Sequence, residues 1–295
     1  MEHVERFAPS PNGLLHLGHA FSALTAWDAA RAAGGRFLVR IEDIDRARAR
    51  AEFEEAIFAD LAWLGIVWER PVLRQSERLP AYAAALDRLR AAGLLYRCAC
   101  TRRDIANALA APQEGADIAP GPDGPAYPGT CRKRPPPEGA PAAWRLDMAA
   151  AIAHLGGGRA VRALAFEELD EGPEGQRGRI ALDPGWLVER CGDVALARRD
   201  IATSYHLSVV VDDAHQGVTH VTRGRDLFHA TPLHRLLQAL LGLPTPLYRH
   251  HRLIRDSSGR RLAKRDRDAG LRELRAAGAA PAEIRARVGL PPAPA

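Results

Sequence analysis

The chain has 295 residues and a formal net charge of +5, with 46% hydrophobic and 26% charged residues. This composition is typical of a globular protein with one large domain or two ordinary ones, and it excludes collagen, coiled-coil and globally disordered classes. We expect no membrane span, because no run of about 18 apolar residues occurs. We expect a cytoplasmic protein without a secretory signal, because the N-terminus has no basic start followed by an apolar run.

Positive charge is concentrated between Arg249 and Arg267, where the local net charge is +6. Such a cluster favours an anionic partner such as ATP or RNA, although a solvated surface loop is the commoner explanation. Lys264 lies in this segment, after a Ser-Ser-Gly loop, and is one of only two lysines among the 41 basic residues. A lysine on such a loop can neutralise charge that develops on a transferring phosphate.

The first 95 residues alternate predicted strands and helices. Periodicity and turn residues predict strands over 4–8 and 36–41, and helices over 14–33, 52–64 and 80–92. This alternation predicts a parallel α/β sheet.

Less regular patterns follow in the rest of the chain. Residues 107–141, rich in Ala, Pro and Gly, predict an irregular insertion. Residues 205–211 end in three valines and predict a buried strand. A helix is predicted over 231–241, and one or two short helices in the last 25 residues.

The loop Pro-Ser-Pro-Asn-Gly at 9–13 separates the first strand from the helix that contains His16-Leu-Gly-His19. A helix N-terminus after a tight loop favours anions, because its free N–H groups and dipole point there. His16 and His19 are three residues apart and share one helix face, where they can donate to phosphate oxygens. Gly18 allows a flat base or sugar to approach the backbone. Two surface histidines or a metal pair are the alternatives.

Two further motifs offer charged ligands. Arg40-Ile-Glu-Asp-Ile-Asp45 ends the second strand, where ligands of parallel sheets bind. Glu42 is the better ligand candidate there, whereas Asp43 or Asp45 is expected to cap a following helix. Arg223, within Val-Thr-Arg-Gly-Arg-Asp at 221–226, can pair bidentately with a carboxylate.

Cys98, Cys100 and Cys131 occur in one region. Three thiolates bind zinc if a fourth ligand completes a tetrahedron, and buried free cysteines are the alternative. The spacing leaves the fourth ligand open among Tyr127, His154, Cys191 and water, with Cys191 more simply explained as a buried free cysteine.

Taken in order, these motifs resemble class I aminoacyl-tRNA synthetases of the glutamyl type. Residues 6–19 resemble the family's opening and its HIGH signature, with Leu17 in place of isoleucine. Residues 40–45, 211–213 and 221–226 resemble later active-site motifs, and Leu-Ala-Lys-Arg-Asp at 262–266 resembles a degenerate KMSKS loop. The resemblance covers residues 5–267.

The resemblance implies an α/β fold of the class I synthetases, a Rossmann-type parallel sheet with a zinc-bearing insertion and a short helical C-terminal region. Its two catalytic halves would be residues 1–95 and 191–248. Residues 96–190 would form the insertion, with the zinc site and an acceptor-like subdomain. Residues 249–295 would hold the KMSKS-like loop and tail.

Only 28 residues follow Arg267, so we expect none of the large helical anticodon-binding domain that full glutamyl-tRNA synthetases carry at this place. This implies the truncated glutamyl-queuosine tRNA(Asp) synthetase family, which activates glutamate with ATP without needing tRNA. That family then attaches glutamate to the queuosine base in the anticodon loop of tRNA(Asp). Magnesium accompanies ATP, and we expect a monomer.

The resemblance also implies roles for individual residues. The catalytic positions are His16, His19 and Lys264. The glutamate-binding positions are Arg6, Phe7, Ala8, Pro9, Ser10, Glu42, Tyr205 and Arg223. The ATP-binding positions are His16, Gly18, His19 and Lys264. The ligands of one structural zinc ion are Cys98, Cys100, Tyr127 and Cys131.

Two other functions remain as alternatives at this point. A short glutamyl-tRNA synthetase would charge the 3′ end of a tRNA. A non-catalytic paralogue would only bind RNA or a partner, although His16, His19, Glu42, Arg223 and Lys264 are all present.

Overall fold

The structure is a computed structural model that describes residues 2–110, 121–254 and 270–293. Its strands, numbered in chain order, are β1 Val4–Phe7, β2 Arg36–Ile41, β3 Leu73–Arg74, β4 Leu95–Cys98, β5 Ala143–Leu146, β6 Ala165–Glu168, β7 Gly178–Ala181, β8 Ala195–Ala197, β9 His220–Gly224 and β10 Leu247–His251.

Helices cover both faces of the main strands. They are α1 Leu17–Ala32, α2 Ala51–Trp63, α3 Leu79–Ala91, α4 Arg102–Ala110, α5 Thr130–Lys133, α6 Met148–His154, α7 Gly157–Ala163, α8 Pro184–Trp186 with a π-helical extension Leu187–Cys191, α9 Tyr205–His215, α10 Thr231–Leu241, α11 Leu271–Ala276 and α12 Pro281–Arg287, with 3₁₀ turns Gln75–Glu77 and Arg225–Ala230. Among the described helices, none combines the length and the apolar character of a membrane span.

The parallel sheet is built from two halves that meet at β1 and β9. In one half, β1, β2 and β3 are parallel neighbours, and in the other β6, β10 and β9 are parallel, with β7 antiparallel at the edge. The backbone N–H of Thr219 donates to the carbonyl of Val4 at 3.0 Å, which holds the halves side by side. Their carboxyl ends therefore open at one edge, where ligands of such sheets bind.

Residues on opposite faces of the central strands are buried in two different hydrophobic cores. Val4 packs with the side of the sheet covered by α3, α9 and α10, whereas Phe7 packs with α1, α2, α11 and α12. This two-sided burial explains the helices on both faces. Arg285 of α12 pairs with Asp28 of α1 and ties the C-terminal helices to this layer. A separate antiparallel sheet has the order β4-β5-β8.

The sequence predictions agree closely for β1, β2, α1, α2, α3 and α10, with shifts of three residues or fewer at the ends. The largest shift is at α1, which begins at Leu17 rather than at residue 14 because His16 caps it. The predicted insertion at 107–141 includes the end of α4 and the short α5, and part of it lies outside the described residues.

The strand predicted over 205–211 is wrong, because these residues form the first part of α9. Ser204 caps this helix, its Oγ accepting the N–H of Leu207 at 3.4 Å. Seven of its eleven residues are buried, since α3, α10 and β8 pack around it. A helix that is buried on most sides shows no amphipathic period, and tertiary packing overrides the strand preference of three successive valines.

Candidate active site and metal site

A cleft of about 410 Å³ opens where the carboxyl ends of β1 and β9 meet. Its volume lies within the roughly 300–1,000 Å³ typical of small-molecule sites. The cleft brings together the described residues that the sequence assigned to glutamate and ATP, namely Arg6, Phe7, Ala8, Pro9, Ser10, His16, Gly18, His19, Glu42, Tyr205 and Arg223.

One side of the cleft is the N-terminus of α1. His16 is its N-cap residue, and its Nδ1 accepts the N–H of Gly18 at 3.0 Å. Nδ1 of His19 accepts the N–H of His16 at 3.2 Å, which completes a reciprocal capping box. The two rings lie 3.8 Å apart between centroids. This end of the helix combines imidazole donors with the positive end of the helix dipole, which suits an anion.

Gly18 is required for this arrangement. A Cβ built at this position would lie 2.9 Å from Cε1 and 3.1 Å from Nδ1 of His16. The absence of a side chain therefore lets the His16 ring fold back onto the helix end, in addition to keeping the backbone accessible to a ligand.

The opposite side of the cleft is a network of buried charges at the end of β1 and β2. One oxygen of Asp213 accepts from Nε of Arg6 at 3.1 Å and from Nη1 of Arg40 at 2.7 Å. Burial alone would raise the pKa of Asp213, but the two guanidinium charges hold it below its usual value. Asp213 on α9 thus fixes both arginines in place.

Glu42 follows β2 and lies 3.3 Å from Nη2 of Arg40. The pKa of Glu42 is raised above its usual value, because burial outweighs the lowering effect of the Arg40 and Arg6 charges. Ligand ammonium groups favour the ionised form, so a carboxylate in this place is suited to bind one.

Helix capping by Asp43 or Asp45 is a wrong expectation. The N-cap of α2 is Arg50, which makes no side-chain cap. Asp43 instead accepts the N–H of Ser76 at 2.8 Å, and Asp45 pairs with Arg48 at 2.6 Å. The turn between β2 and α2 is longer than the sequence suggested, which places both acids before the helix.

Arg223, on β9, is buried and donates four of its five N–H groups to described residues. Nε donates to Nε2 of His250 at 3.0 Å and Nη2 to Oγ1 of Thr231 at 2.7 Å. Nη1 donates at 3.3 Å to both the Tyr205 hydroxyl and Nδ1 of His234. Among the described residues, none accepts the second Nη2 N–H, which can therefore donate to a ligand. Bidentate binding of a carboxylate would require displacing one of the two longer Nη1 contacts.

Several residues around these groups were not predicted from the sequence. Arg40 and Asp213 stood inside quoted motifs, but nothing in the sequence indicated that they pair. His206, His234 and His250 gave no signal, because isolated histidines near apolar segments are more often core residues. Lys264, the remaining predicted catalytic and ATP-binding residue, lies outside the described residues.

The second site is formed by the insertion. The sulfurs of Cys98, Cys100 and Cys131 lie within 4.8 Å of one another. The hydroxyl of Tyr127 is 3.4 Å from Sγ of Cys98 and 3.3 Å from Sγ of Cys100. Three thiols and one phenol oxygen therefore converge from the end of β4 and the residues after it, from α5 and from the segment before α5.

This donor set fits a zinc ion. Burial raises the pKa of Cys100 to about 11. In Cys131 the hydrogen bonds from Tyr127 and Cys100 outweigh burial and lower the thiol pKa to about 7, so one thiolate is readily available. Soft sulfur ligands in a four-atom cluster favour zinc.

The other fourth-ligand candidates are not in this cluster. His154 is exposed on α6, and Cys191 is a buried free cysteine in the core on the α9 side of the sheet. The interpretation of Cys191 as a core residue is confirmed.

The comparisons with known proteins agree with this geometry. The chain matches the family described as tRNA synthetases class I (E and Q), catalytic domain, over residues 3–135 and 153–290. The chain belongs to this class I synthetase family. It is therefore an enzyme of the ligase class, and the predicted α/β synthetase fold is confirmed.

Two relatives indicate the subgroup of the family to which the chain is similar. Glutamyl-Q tRNA(Asp) synthetase of Rhodobacter capsulatus is 57% identical over 291 residues, which cover 97% of this chain and 100% of the relative. The protein of the same name from Nocardia farcinica is 44% identical, over 98% of this chain and 86% of the relative. The resemblance to this subgroup is confirmed.

Solved structures of two other synthetases share the fold. Glutamate-tRNA synthetase from Elizabethkingia anophelis has a TM-score of 0.69 and 25% identity, and the match covers 90% of this chain. The chain spans about half of that structure, 53% of its length. Methionyl-tRNA synthetase from Mycobacterium tuberculosis, at 13% identity and a TM-score of 0.58, supports the fold alone.

Proposed function

We propose that this enzyme activates L-glutamate with ATP in the absence of tRNA and then transfers glutamate to the queuosine base of tRNA(Asp). The observation that carries the proposal is the single cleft that joins the His16 helix end to the Arg6, Glu42 and Arg223 charges. The names of the relatives at 57% and 44% identity support the acceptor.

Glutamate lies between charges of both signs in this proposal. Glu42 takes its α-ammonium, Arg223 takes a carboxylate through Nη2, and Arg6 and Ser10 line the same wall. The Tyr205 hydroxyl, already held by Arg223, completes the pocket. Fixed charges in a largely buried pocket need little reorganisation when the substrate reacts, which favours catalysis by positioning.

ATP lies over the N-terminus of α1, with its base close to Gly18. An oxygen of the glutamate α-carboxylate attacks the α-phosphorus, the bond to the bridging oxygen breaks, and pyrophosphate leaves. His16 and His19 donate to the phosphates, and Lys264 is assigned to the same charge. Magnesium bound with ATP supplies further neutralisation of the phosphates.

The acceptor is assigned to a second cleft of about 470 Å³ that shares Ser10, Asn12, Glu42 and Tyr205 with the first. Arg102 and Arg198 are among the residues lining it, which suits a nucleotide with its phosphates. A hydroxyl of the queuosine cyclopentenediol attacks the adenylate carbonyl, AMP leaves, and an ester forms.

The metal ion has a structural role in this proposal. Cys98, Cys100, Cys131 and Tyr127 would hold one zinc ion, which joins β4 to α5. The insertion over 96–190 then packs as an acceptor-binding subdomain between the catalytic halves at 1–95 and 191–248. The enzyme acts as a monomer in the cytoplasm.

The first experiment is glutamate-dependent ATP–pyrophosphate exchange without tRNA, with Lys264→Ala as the comparison. We expect exchange in the wild type and its loss in the variant. Exchange that requires added tRNA favours a short glutamyl-tRNA synthetase, and no exchange with any amino acid overturns the proposal.

The second experiment identifies the acceptor. tRNA(Asp) with queuosine and tRNA(Asp) with guanosine at the same position are charged with labelled glutamate in parallel. We expect label only on the queuosine-containing tRNA. Equal labelling of both would contradict the proposed acceptor.

A further inference from the structure

A chain of hydrogen bonds runs from Arg223 through two buried imidazoles to a carboxylate. Nη1 of Arg223 contacts Nδ1 of His234 at 3.3 Å, and Nε2 of His234 contacts Nδ1 of His206 at 3.0 Å. Nε2 of His206 contacts Oδ1 of Asp123 at 3.0 Å. Asp123 comes from the insertion, four residues before Tyr127.

The direction of every bond in this chain follows from its two ends. A guanidinium can only donate, so Nδ1 of His234 must be unprotonated and its proton lies on Nε2. That proton is donated to Nδ1 of His206, whose own proton lies on Nε2 and faces Asp123. A carboxylate can only accept, so the chain is consistent with two neutral rings and one arrangement of protons.

A second chain holds the other side of the same guanidinium. Nε of Arg223 donates to Nε2 of His250 at 3.0 Å, and Nδ1 of His250 lies 2.5 Å from Oε2 of Glu168. The side chains of His250 and Glu168 are both fully buried. By the same reasoning His250 accepts at Nε2 and donates at Nδ1 to the carboxylate.

The two chains therefore offer Arg223 acceptors at different ring positions, which are Nδ1 of His234 and Nε2 of His250. Burial lowers the pKa of His250 to about 4 and that of His234 well below its usual value, so both rings are neutral at pH 7. Protonation of either acceptor nitrogen would place two donors face to face.

We propose that His234 and His250 are positioning residues that fix the orientation of Arg223 for the glutamate carboxylate. Asp123 sets the tautomer of His234 through His206, and Glu168 sets the tautomer of His250. This inference rests on the proposed function. It predicts that these residues govern the affinity for glutamate and leave that for ATP unchanged, because neither chain reaches the His16 end of the cleft.

The test uses amide side chains that replace one ring nitrogen at a time. The amide oxygen of Asn reaches the place of Nδ1, and that of Gln reaches the place of Nε2. We expect His234→Asn and His250→Gln to keep the glutamate KM near the wild-type value. We expect His234→Gln and His250→Asn to raise it about tenfold, the equivalent of one lost hydrogen bond to a charged group.

The readout is the KM for glutamate and for ATP in pyrophosphate exchange, with the thermal unfolding midpoint of each variant measured alongside. His215→Asn and His215→Gln are the matched controls, since His215 is exposed on the same helix as His206. Both controls should match the wild type.

Asp123→Asn covers the case in which the buried variants do not fold, because the Asp123 side chain is 59% exposed. An amide can donate to Nε2 of His206 and so permits the reversed tautomer, by the logic known for catalytic triads. We expect a glutamate KM raised by about threefold or more at an unchanged unfolding midpoint.

The outcomes separate the two proposals. Given normal exchange by the wild type, three results would overturn the inference. The first is the same glutamate KM in all four histidine variants, and the second is a KM for ATP that changes together with the KM for glutamate. The third is an Asp123→Asn variant whose glutamate KM equals that of the wild type. A wild-type protein without glutamate-dependent exchange overturns the proposed function, and the inference with it.

Discussion

His16 and His19 each use Nδ1 to cap the same helix end, at 3.0 Å from the Gly18 N–H and 3.2 Å from the His16 N–H. Because both Nδ1 atoms accept, each neutral ring carries its proton on Nε2. Backbone capping therefore selects the tautomer of two imidazoles that line the cleft, and it makes both of them donors to an anionic ligand.

Gly18→Ala tests whether this cap matters for ATP. The added Cβ would lie 2.9 Å from Cε1 of His16, so the ring must leave its capping position. We expect the KM for ATP to rise about tenfold, with a smaller effect on glutamate. Gly158→Ala is the control, because its Cβ meets nothing closer than 3.6 Å. Equal KM values for the two variants would contradict the role of the cap.

Asp213→Asn removes the carboxylate that two buried arginines share. Arg6 would then lose its buried carboxylate partner, and Arg40 would keep only its ion pair with Glu42. We expect this to cost about 3–5 kcal/mol of the free energy of unfolding. Urea denaturation measures this loss. Asp45→Asn, which breaks only the exposed pair with Arg48, should cost less than about 1 kcal/mol. Similar stabilities for both variants would refute the expectation.

Glu5→Gln tests a buried carboxyl outside the cleft. Burial raises the pKa of Glu5 to about 7, against the lowering effects of the Thr222 hydrogen bond and of Arg6 and Arg249. A raised pKa means that the folded protein binds the proton more tightly, so this stabilisation is full below about pH 4.5 and is lost as the pH rises through about 7.

The variant should therefore gain on the wild type as the pH increases. We expect the difference in free energy of unfolding to grow by about 3 kcal/mol between pH 4.5 and pH 8. Denaturant titrations at matched pH values measure it. A difference that stays constant from pH 5 to pH 8 would rule out the raised pKa.

The metal site predicts one zinc ion per chain in the purified protein. Cys98→Ser and Cys131→Ser should lose the ion, and Cys191→Ala should keep it because Cys191 lies in the core away from the cluster. Elemental analysis gives the metal content. Full zinc content in Cys131→Ser would exclude the proposed ligand set.

Tyr127→Phe asks whether the phenol oxygen is the fourth ligand. Removal of the phenol oxygen should weaken zinc binding at least about tenfold, which is the loss expected when a hydrogen bond to a metal ligand is removed. Competition with a chelator measures the zinc affinity. An unchanged affinity would assign the fourth position to another donor. The three thiolates should still bind the ion, because thiolates are stronger zinc ligands than a phenol oxygen.

The predicted elements agree with the structure where the local sequence contains a periodic pattern or a turn or capping residue. For β2 the alternation of Phe37, Val39 and Ile41 gives the right bounds, and for α10 the proline in its first turn does so. For α9 that signal is absent, because packing on most sides erases the helical period. The predicted capping by Asp43 or Asp45 failed because the length of a turn is not readable from its residue types.

The ordered motifs of the sequence were enough to recognise the family, and that resemblance implied which residues are grouped in the cleft and in the cysteine cluster. The pairing of Arg6 and Arg40 with Asp213, and the contacts of the imidazoles with Arg223, became visible only in the folded chain. These contacts join residues up to 207 positions apart. Their partners and tautomers are set by which strands and helices meet, and no local pattern encodes that.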